Sequence, residues 1–373
     1  MLNKLRKGLL ASVIGIGFMA STSHAALEIP NPAYSGLVIF GDSISDTGNV
    51  LSLTTAFGQP AFPSYPGAAG FFSNGPAWTT YLAAGLGRTG TAAPSNLLFD
   101  GTSVIPIGVQ GGQNYSYGGA RTGLGGSAGE TTGLLGQLVA WDNSPSILGG
   151  GPLTRDADPN ALYVVMAGAN DLRDYRSGVA GAAAPGSVAG NVVGALSLLA
   201  NAGARHFLIS SLPDLGLTPE AVGLGLVTES RAATLAFNGA LSSLSGSFEA
   251  GFNLANGVDL DIRTLDFYGL FNRVVDDAKN NKGLTYGITN VTSACIKPGV
   301  VSGQYFFGDA TGLACDVAAF SDPLHPSAAS HALLGALAVQ TALAPVPEPS
   351  EYAMMIAGIL VVVGLRRRAR DAT

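Results

Sequence analysis

Gly36-Leu37-Val38-Ile39-Phe40-Gly41-Asp42-Ser43 is the stretch on which the fold turns. Leu37 to Phe40 is an uninterrupted apolar run, rich in β-branched residues and too short for a helix between its glycines, so it reads as a strand buried on both faces. Ser43 then falls on the turn beyond the strand's carboxyl end, the rim where open α/β sheets hold their ligands. A second such run, Ala161 to Ala167, is followed by Gly168-Ala169-Asn170-Asp171, which places Asn170 on the same rim. Further out, Arg205 to Ser211 and Leu260 to Phe267 read as strands. Pro76 to Leu86, Ser187 to Ala202, Thr218 to Phe248, Tyr268 to Lys279 and Pro326 to Ala342 read as helices. Alternation of this kind predicts a parallel sheet with right-handed helical crossovers. Leu51 to Gly133, dominated by small residues and Pro, is expected to form long loops around a cleft.

A third island, Asp322-Pro323-Leu324-His325-Pro326, supplies a carboxylate and an imidazole three positions apart. A serine needs that pair to lose its proton and keep its base oriented. Asn170 adds a neutral side-chain donor suited to an oxyanion. In isolation Asn170 and Asp322 would read as helix caps, and their joint occurrence with Ser43 and His325 reverses that preference. Asp42 reads as a turn residue.

With Asn114-Tyr115-Ser116-Tyr117-Gly118-Gly119-Ala120, these islands resemble the four ordered blocks of the GDSL, or SGNH, hydrolases. Phe40 to Asn49 matches the first block with Ile44 where Leu is usual, and Phe72-Ser73-Asn74-Gly75-Pro76-Ala77-Trp78 is similar to the lipase and esterase branch. Phe71 stands where Arg is common, and the last block ends in Ser327 rather than Thr. The resemblance spans about Gly36 to Leu343. It implies a flavodoxin-like three-layer α/β/α sandwich with a central parallel five-stranded sheet. It also implies a triad of Ser43, Asp322 and His325, and an oxyanion hole from the main-chain N–H groups of Ser43 and Gly119 with the amide of Asn170. Such chemistry uses protein groups alone, with no cofactor or metal.

Both ends describe export. Lys4, Arg6 and Lys7 precede an apolar run to about Ala20, and Ser23-His24-Ala25 suits a signal peptidase, which makes 1–25 a leader. Val346-Pro347-Glu348-Pro349, the apolar stretch Ala353 to Leu365 and the cluster Arg366-Arg367-Arg368-Ala369-Arg370 resemble a PEP-CTERM sorting tail over 346–373. That resemblance implies processing by an exosortase-type enzyme in the envelope of a Gram-negative bacterium, with transient inner-membrane association; a plain tail anchor is the competing reading. The hydrolase domain is then 26–345. Of 19 basic residues 3 leave with the leader and 4 with the tail, and of 25 acidic residues 3 leave with the tail, so the domain carries 12 against 22 and a net charge near −10. This disfavours nucleic acid and anionic lipid headgroups as partners.

Cys295 and Cys315, the only cysteines, are expected to pair in an oxidising compartment. Gly125-Gly126-Ser127-Ala128-Gly129 fits a nucleophile elbow but lacks the strand that should feed it. His24 leaves with the leader, and His206 and His331 have no carboxylate so near in sequence. Phe57, Phe62, Phe71, Phe72 and Trp78 are candidates to line an acyl or ring-binding surface. The family motifs imply ester chemistry better than they define a substrate: lipids, simple esters and acylated polysaccharide all fit, as do an acyltransferase and a non-catalytic matrix module on the same scaffold.

Overall fold

The computed structural model describes residues 33–65, 67–301, 304–310 and 312–345; the expected leader and the expected sorting tail lie outside them. In chain order the first elements are strand β1 (Leu37–Gly41), helix α1 (Asn49–Ala56), the short hairpins β2 (Ser64–Tyr65) with β3 (Ala68–Ala69) and β4 (Leu97–Phe99) with β5 (Val104–Pro106), and between those hairpins α2 (Trp78–Gly85). Then come α3 (Leu134–Asp142), β6 (Leu162–Met166), α4 (Ala169–Arg176), α5 (Pro185–Asn201) and β7 (His206–Ser210). The C-terminal part holds α6 (Pro219–Leu224), α7 (Val227–Asn256), β8 (Asp261–Leu265), α8 (Phe267–Asn281), β9 (Asn290–Ala294), β10 (Ile296–Val301), β11 (Gln304–Ala310), β12 (Ala318–Phe320) and α9 (Ala328–Leu343).

The central sheet is parallel throughout in the order β1-β6-β7-β8, with Leu37 opposite Leu162 and Leu162 opposite His206. Because strand side chains alternate, Val38, Phe40, Tyr163, Val165 and Phe207 face one way, against Leu138 of α3, Leu196 of α5 and Phe237 of α7. Leu37, Ile39, Val164, Met166 and Leu208 face the other, against Leu82 of α2, Phe271 of α8 and Leu334 of α9. The fold is therefore α/β with helices on both sides of a parallel sheet.

Five regular strands are not what the structure shows. Four pair regularly, and the fifth place, outside β1, is held by the irregular segment 113–117. It makes parallel ladder bonds from Ile39 N to Gln113 O (2.9 Å), Tyr115 N to Ile39 O (2.7 Å) and Tyr117 N to Gly41 O (3.2 Å). Asn114 breaks its regularity: its Oδ1 accepts from Ser116 N (2.9 Å), and its Nδ2 donates to Ser45 O (2.7 Å). Such side-chain bonds compete with a ladder. Counting this segment, the spatial order by chain position is second, first, third, fourth, fifth. The order reverses between β1 and β6, the two strands that lead to Ser43 and Asn170.

Other expectations are corrected too. Leu51 to Gly133 is not all loop, since α1 and two hairpins lie at its start and within it. The helix expected over Thr218 to Phe248 is broken by Gly225, which at φ 69° ends α6 in a left-handed cap.

Cys295 and Cys315 form a disulfide with Cα atoms 5.2 Å apart. It packs in a small cluster with Tyr65, Phe72 and Ile296. For a sequence separation of 20, replacing both cysteines by Ser is expected to lower the unfolding free energy by about 3 kcal/mol, read from denaturant titrations.

Candidate active site

Gly41 closes β1 where there is no room for a side chain: a Cβ there would stand 2.6 Å from Met166 O. The main chain then coils into one tight turn, Ser45 N and Asp46 N both donating to Asp42 O (3.0 Å each), and Ser43 sits at its head. Asp42 Oδ1 accepts from Ile44 N (3.0 Å), the turn role read from its sequence, while its buried Oδ2 has no partner among the described residues. Burial pushes its carboxyl up to about 6.

The island 322–326 meets this turn from the other side. His325 Nε2 lies 2.8 Å from Ser43 Oγ, and Nδ1 lies 2.6 Å from Asp322 Oδ2. Asp322 is 3% exposed, and its Oδ1 accepts from the main-chain N–H groups of Leu324 and His325 (2.7 Å each). Burial pushes its carboxyl up, but the facing imidazole and the hydrogen bonds outweigh this, and the net direction is down. The ring of Phe72 packs against His325 at 5.2 Å between centroids.

Asn170 lies in the first turn of α4, buried, and is not a cap. Its Nδ2 donates to Ala120 O (2.9 Å) and its Oδ1 accepts from Arg173 Nη1 (3.2 Å), which fixes the amide's orientation and leaves one N–H over. Arg173 is held by both oxygens of Glu220 (Nε 3.0 Å, Nη2 2.5 Å), and Glu220 also takes Arg176. The main-chain N–H of Glu220 donates to Pro323 O (2.8 Å), so one residue ties the Asn170 support to the Asp322–His325 loop.

Of the two glycines in the second block, Gly118 donates its N–H to Asp46 Oδ2 (2.9 Å), whereas those of Gly119 and Ser43 have no acceptor among the described residues. Gly119 adopts φ 79°, and a Cβ on it would meet Ser127 Oγ at 2.2 Å, so the position requires glycine. Asp46 also accepts from Gly48 N and Asn49 N (2.8 Å each), which caps α1. Burial pushes its carboxyl up to about 6.

Ser43, Gly119, Asn170, Asp322 and His325 all line one cavity of about 700 Å³. Its apolar side is formed by Val50, Leu53 and Phe57 of α1 and its end, with Phe62 and Phe72; Glu130, Arg173 and Glu220 are on its polar part. Phe71 and Trp78 do not line it. Phe71 packs in the disulfide cluster, and Trp78 is fully buried with its indole N–H on Ser45 Oγ (3.1 Å). Ser127 does reach the cavity wall, but among the described residues it has no histidine or carboxylate bonded to its hydroxyl. His331 accepts from Trp78 N (3.1 Å) and burial pushes its pKa down to about 3, so it serves the packing of α2 on α9. His206 stands at the start of β7, away from the cavity.

Three participants carry no local signal in the sequence. The hydroxyl of Tyr65, from β2, donates to Asp322 Oδ2 (2.5 Å), and Arg173 and Glu220 brace Asn170. Tyr65 and Glu220 arrive only through long-range folding, and Arg173, on the same helix as Asn170, is fixed by Glu220.

Esterase EstA of Pseudomonas aeruginosa is 31% identical over 230 residues, 57% of this chain and 34% of that protein, so the chain spans about a third of its length. A GDSL esterase/lipase of Arabidopsis thaliana is 27% identical over 88% of this chain and 92% of its own length. The phosphatidylcholine-sterol acyltransferase of Aeromonas hydrophila is 28% identical over 55% of this chain and 52% of its own. Residues 37–338, which include every block discussed above, match the GDSL-like lipase/acylhydrolase family, and the chain belongs to it.

Proposed function

We propose that this chain is an exported carboxylic-ester hydrolase that works through an acyl-serine. The observation that carries the reading is the unbroken relay Ser43–His325–Asp322, at 2.8 and 2.6 Å, opening into a cavity with an apolar side. Ser43 Oγ attacks the ester carbonyl while its proton passes to His325 Nε2. The oxyanion so formed is held by the N–H groups of Ser43 and Gly119 and the free N–H of Asn170. Collapse expels the alcohol, which takes the proton from His325. Water then repeats the sequence on the acyl-serine, with His325 again as base, and releases the acid. Asp322 keeps Nδ1 protonated and stabilises the imidazolium.

Export rests on the leader and on the PEP-CTERM-like tail, with an exosortase-type enzyme as processing partner; the Cys295–Cys315 disulfide suits that destination. The named activity of the Aeromonas relative supports a second reading, acyl transfer to an alcohol or sugar in place of water. The test is a serine-directed phosphonate followed by peptide mapping, with product analysis when an alcohol competes. An adduct on Ser43 with acid as product supports the hydrolase, ester product supports the transferase, and no adduct with no turnover supports a binding module.

The apolar side implies an acyl chain lying along α1. Leu53→Trp is expected to lower kcat/KM for octanoyl esters by about tenfold and leave acetyl esters within about twofold, read with p-nitrophenyl substrates.

A further inference from the structure

We propose that Tyr65 is a positioning residue for the proton relay, its hydroxyl holding the Asp322 carboxylate in the plane and charge state that His325 requires; this rests on the serine hydrolase reading above. Two carboxylate oxygens offer about four acceptor sites. All four are taken here: Leu324 N and His325 N on Oδ1, His325 Nδ1 and the Tyr65 hydroxyl on Oδ2. Three of these donors belong to the Asp322–His325 segment itself and would move with it. Among the described residues Tyr65, 257 residues away in sequence, is the side-chain donor that reaches the carboxylate from outside that segment.

Its own placement is firm. Tyr65 is 2% exposed, and its ring sits in the cluster with Phe72, Cys295 and Ile296. The same cluster therefore supports both the tyrosine that reaches Asp322 and the phenylalanine that packs on His325. The strand that delivers Asp322 is bonded to the same place, with Cys295 N donating to Phe320 O (3.2 Å) and Ile296 N to Ser321 O (2.8 Å). A phenol O–H on Oδ2 shares the carboxylate's charge with the imidazole N–H. Without it, more of that charge falls on the imidazole. Asp42 and His331 interact electrostatically with this imidazole, and Arg173 and Glu220 line the same cavity.

The experiment is steady-state hydrolysis of p-nitrophenyl esters across the acid limb of the pH profile, for the full chain, Tyr65→Phe, Asp322→Asn and the double variant. Tyr65→Phe is expected to lower kcat about tenfold with KM little changed. It should also move the acid limb up by about half a pH unit. Added to Asp322→Asn, the same change should alter turnover by less than about twofold, because its target is gone. Parental turnover and limb in Tyr65→Phe overturn the proposal, as does a loss that persists undiminished beside Asp322→Asn. If Asp322→Asn itself leaves turnover intact, the hydrolase reading falls and this one with it; a silent Tyr65→Phe beside a crippled Asp322→Asn removes this one alone. Should the Phe variant not fold, Tyr65→Leu is read by the same criteria, and a loss that follows its thermal midpoint but not its acid limb counts against the proposal.

Discussion

Ser43→Ala is expected to reduce ester turnover by about 10⁵- to 10⁶-fold, measured against the parent on the same p-nitrophenyl ester series. The size follows from what is removed. Without Oγ there is no covalent step, and His325 is left with no group to deprotonate, while the oxyanion donors and the cavity remain. KM should therefore change little, and the phosphonate adduct should vanish. Stability is a necessary control: among the described residues Ser43 Oγ bonds to His325 Nε2, so the unfolding free energy should stay within about 1 kcal/mol. Equal activity in parent and variant would transfer the chemistry to Ser127, which shares the cavity wall.

Asn170→Ala is expected to cost about 100- to 1000-fold in kcat, again with KM nearly constant, because the amide meets its acceptor as the oxyanion forms. Asn170→Asp is the sharper comparison. It keeps the shape and can still accept from Arg173, but it turns a charged oxygen toward the developing negative charge and should be at least as impaired. A loss of tenfold or less in both would mean that Ser43 N and Gly119 N suffice and that Asn170 serves the start of α4.

Much of this site was legible because its chemistry is written locally. Asp322 and His325 are three residues apart, and a strand of four apolar residues announces where Ser43 must emerge. Gly119 was legible only by its distance from Asn114; the structure adds the reason that Gly118 is occupied by Asp46. Tyr65 and Glu220 were not legible, since each acts across a contact of dozens to hundreds of residues that no local pattern encodes, and Arg173, though only three positions from Asn170, is held in place by the distant Glu220. Among helices, α3 escaped notice because it is buried nearly all round and so has no polar face to set a period. The eight-residue α1 has β-branched Thr54 and Thr55 near its end and is capped from Asp46, outside its own sequence. The parallel strands were read correctly in kind, while the irregularity of the fifth place in the sheet comes from Asn114 side-chain bonds that no propensity anticipates.

Residues 51–133 contain α2 and the sheet segment 113–117 and, around them, the hairpin of Tyr65, the cavity-lining Leu53, Phe57, Phe62 and Phe72, and Gly119. A protein engineer would be drawn to such an insert as an exchangeable cassette for new ester preferences. Its contents argue against clean exchange: the same cassette carries Gly119, proposed above as an oxyanion donor, and the phenol on the Asp322 carboxylate. Selectivity and turnover in this chain are thus inherited together, and a grafted cassette must bring its own glycine and its own hydroxyl to the two points where the framework expects them.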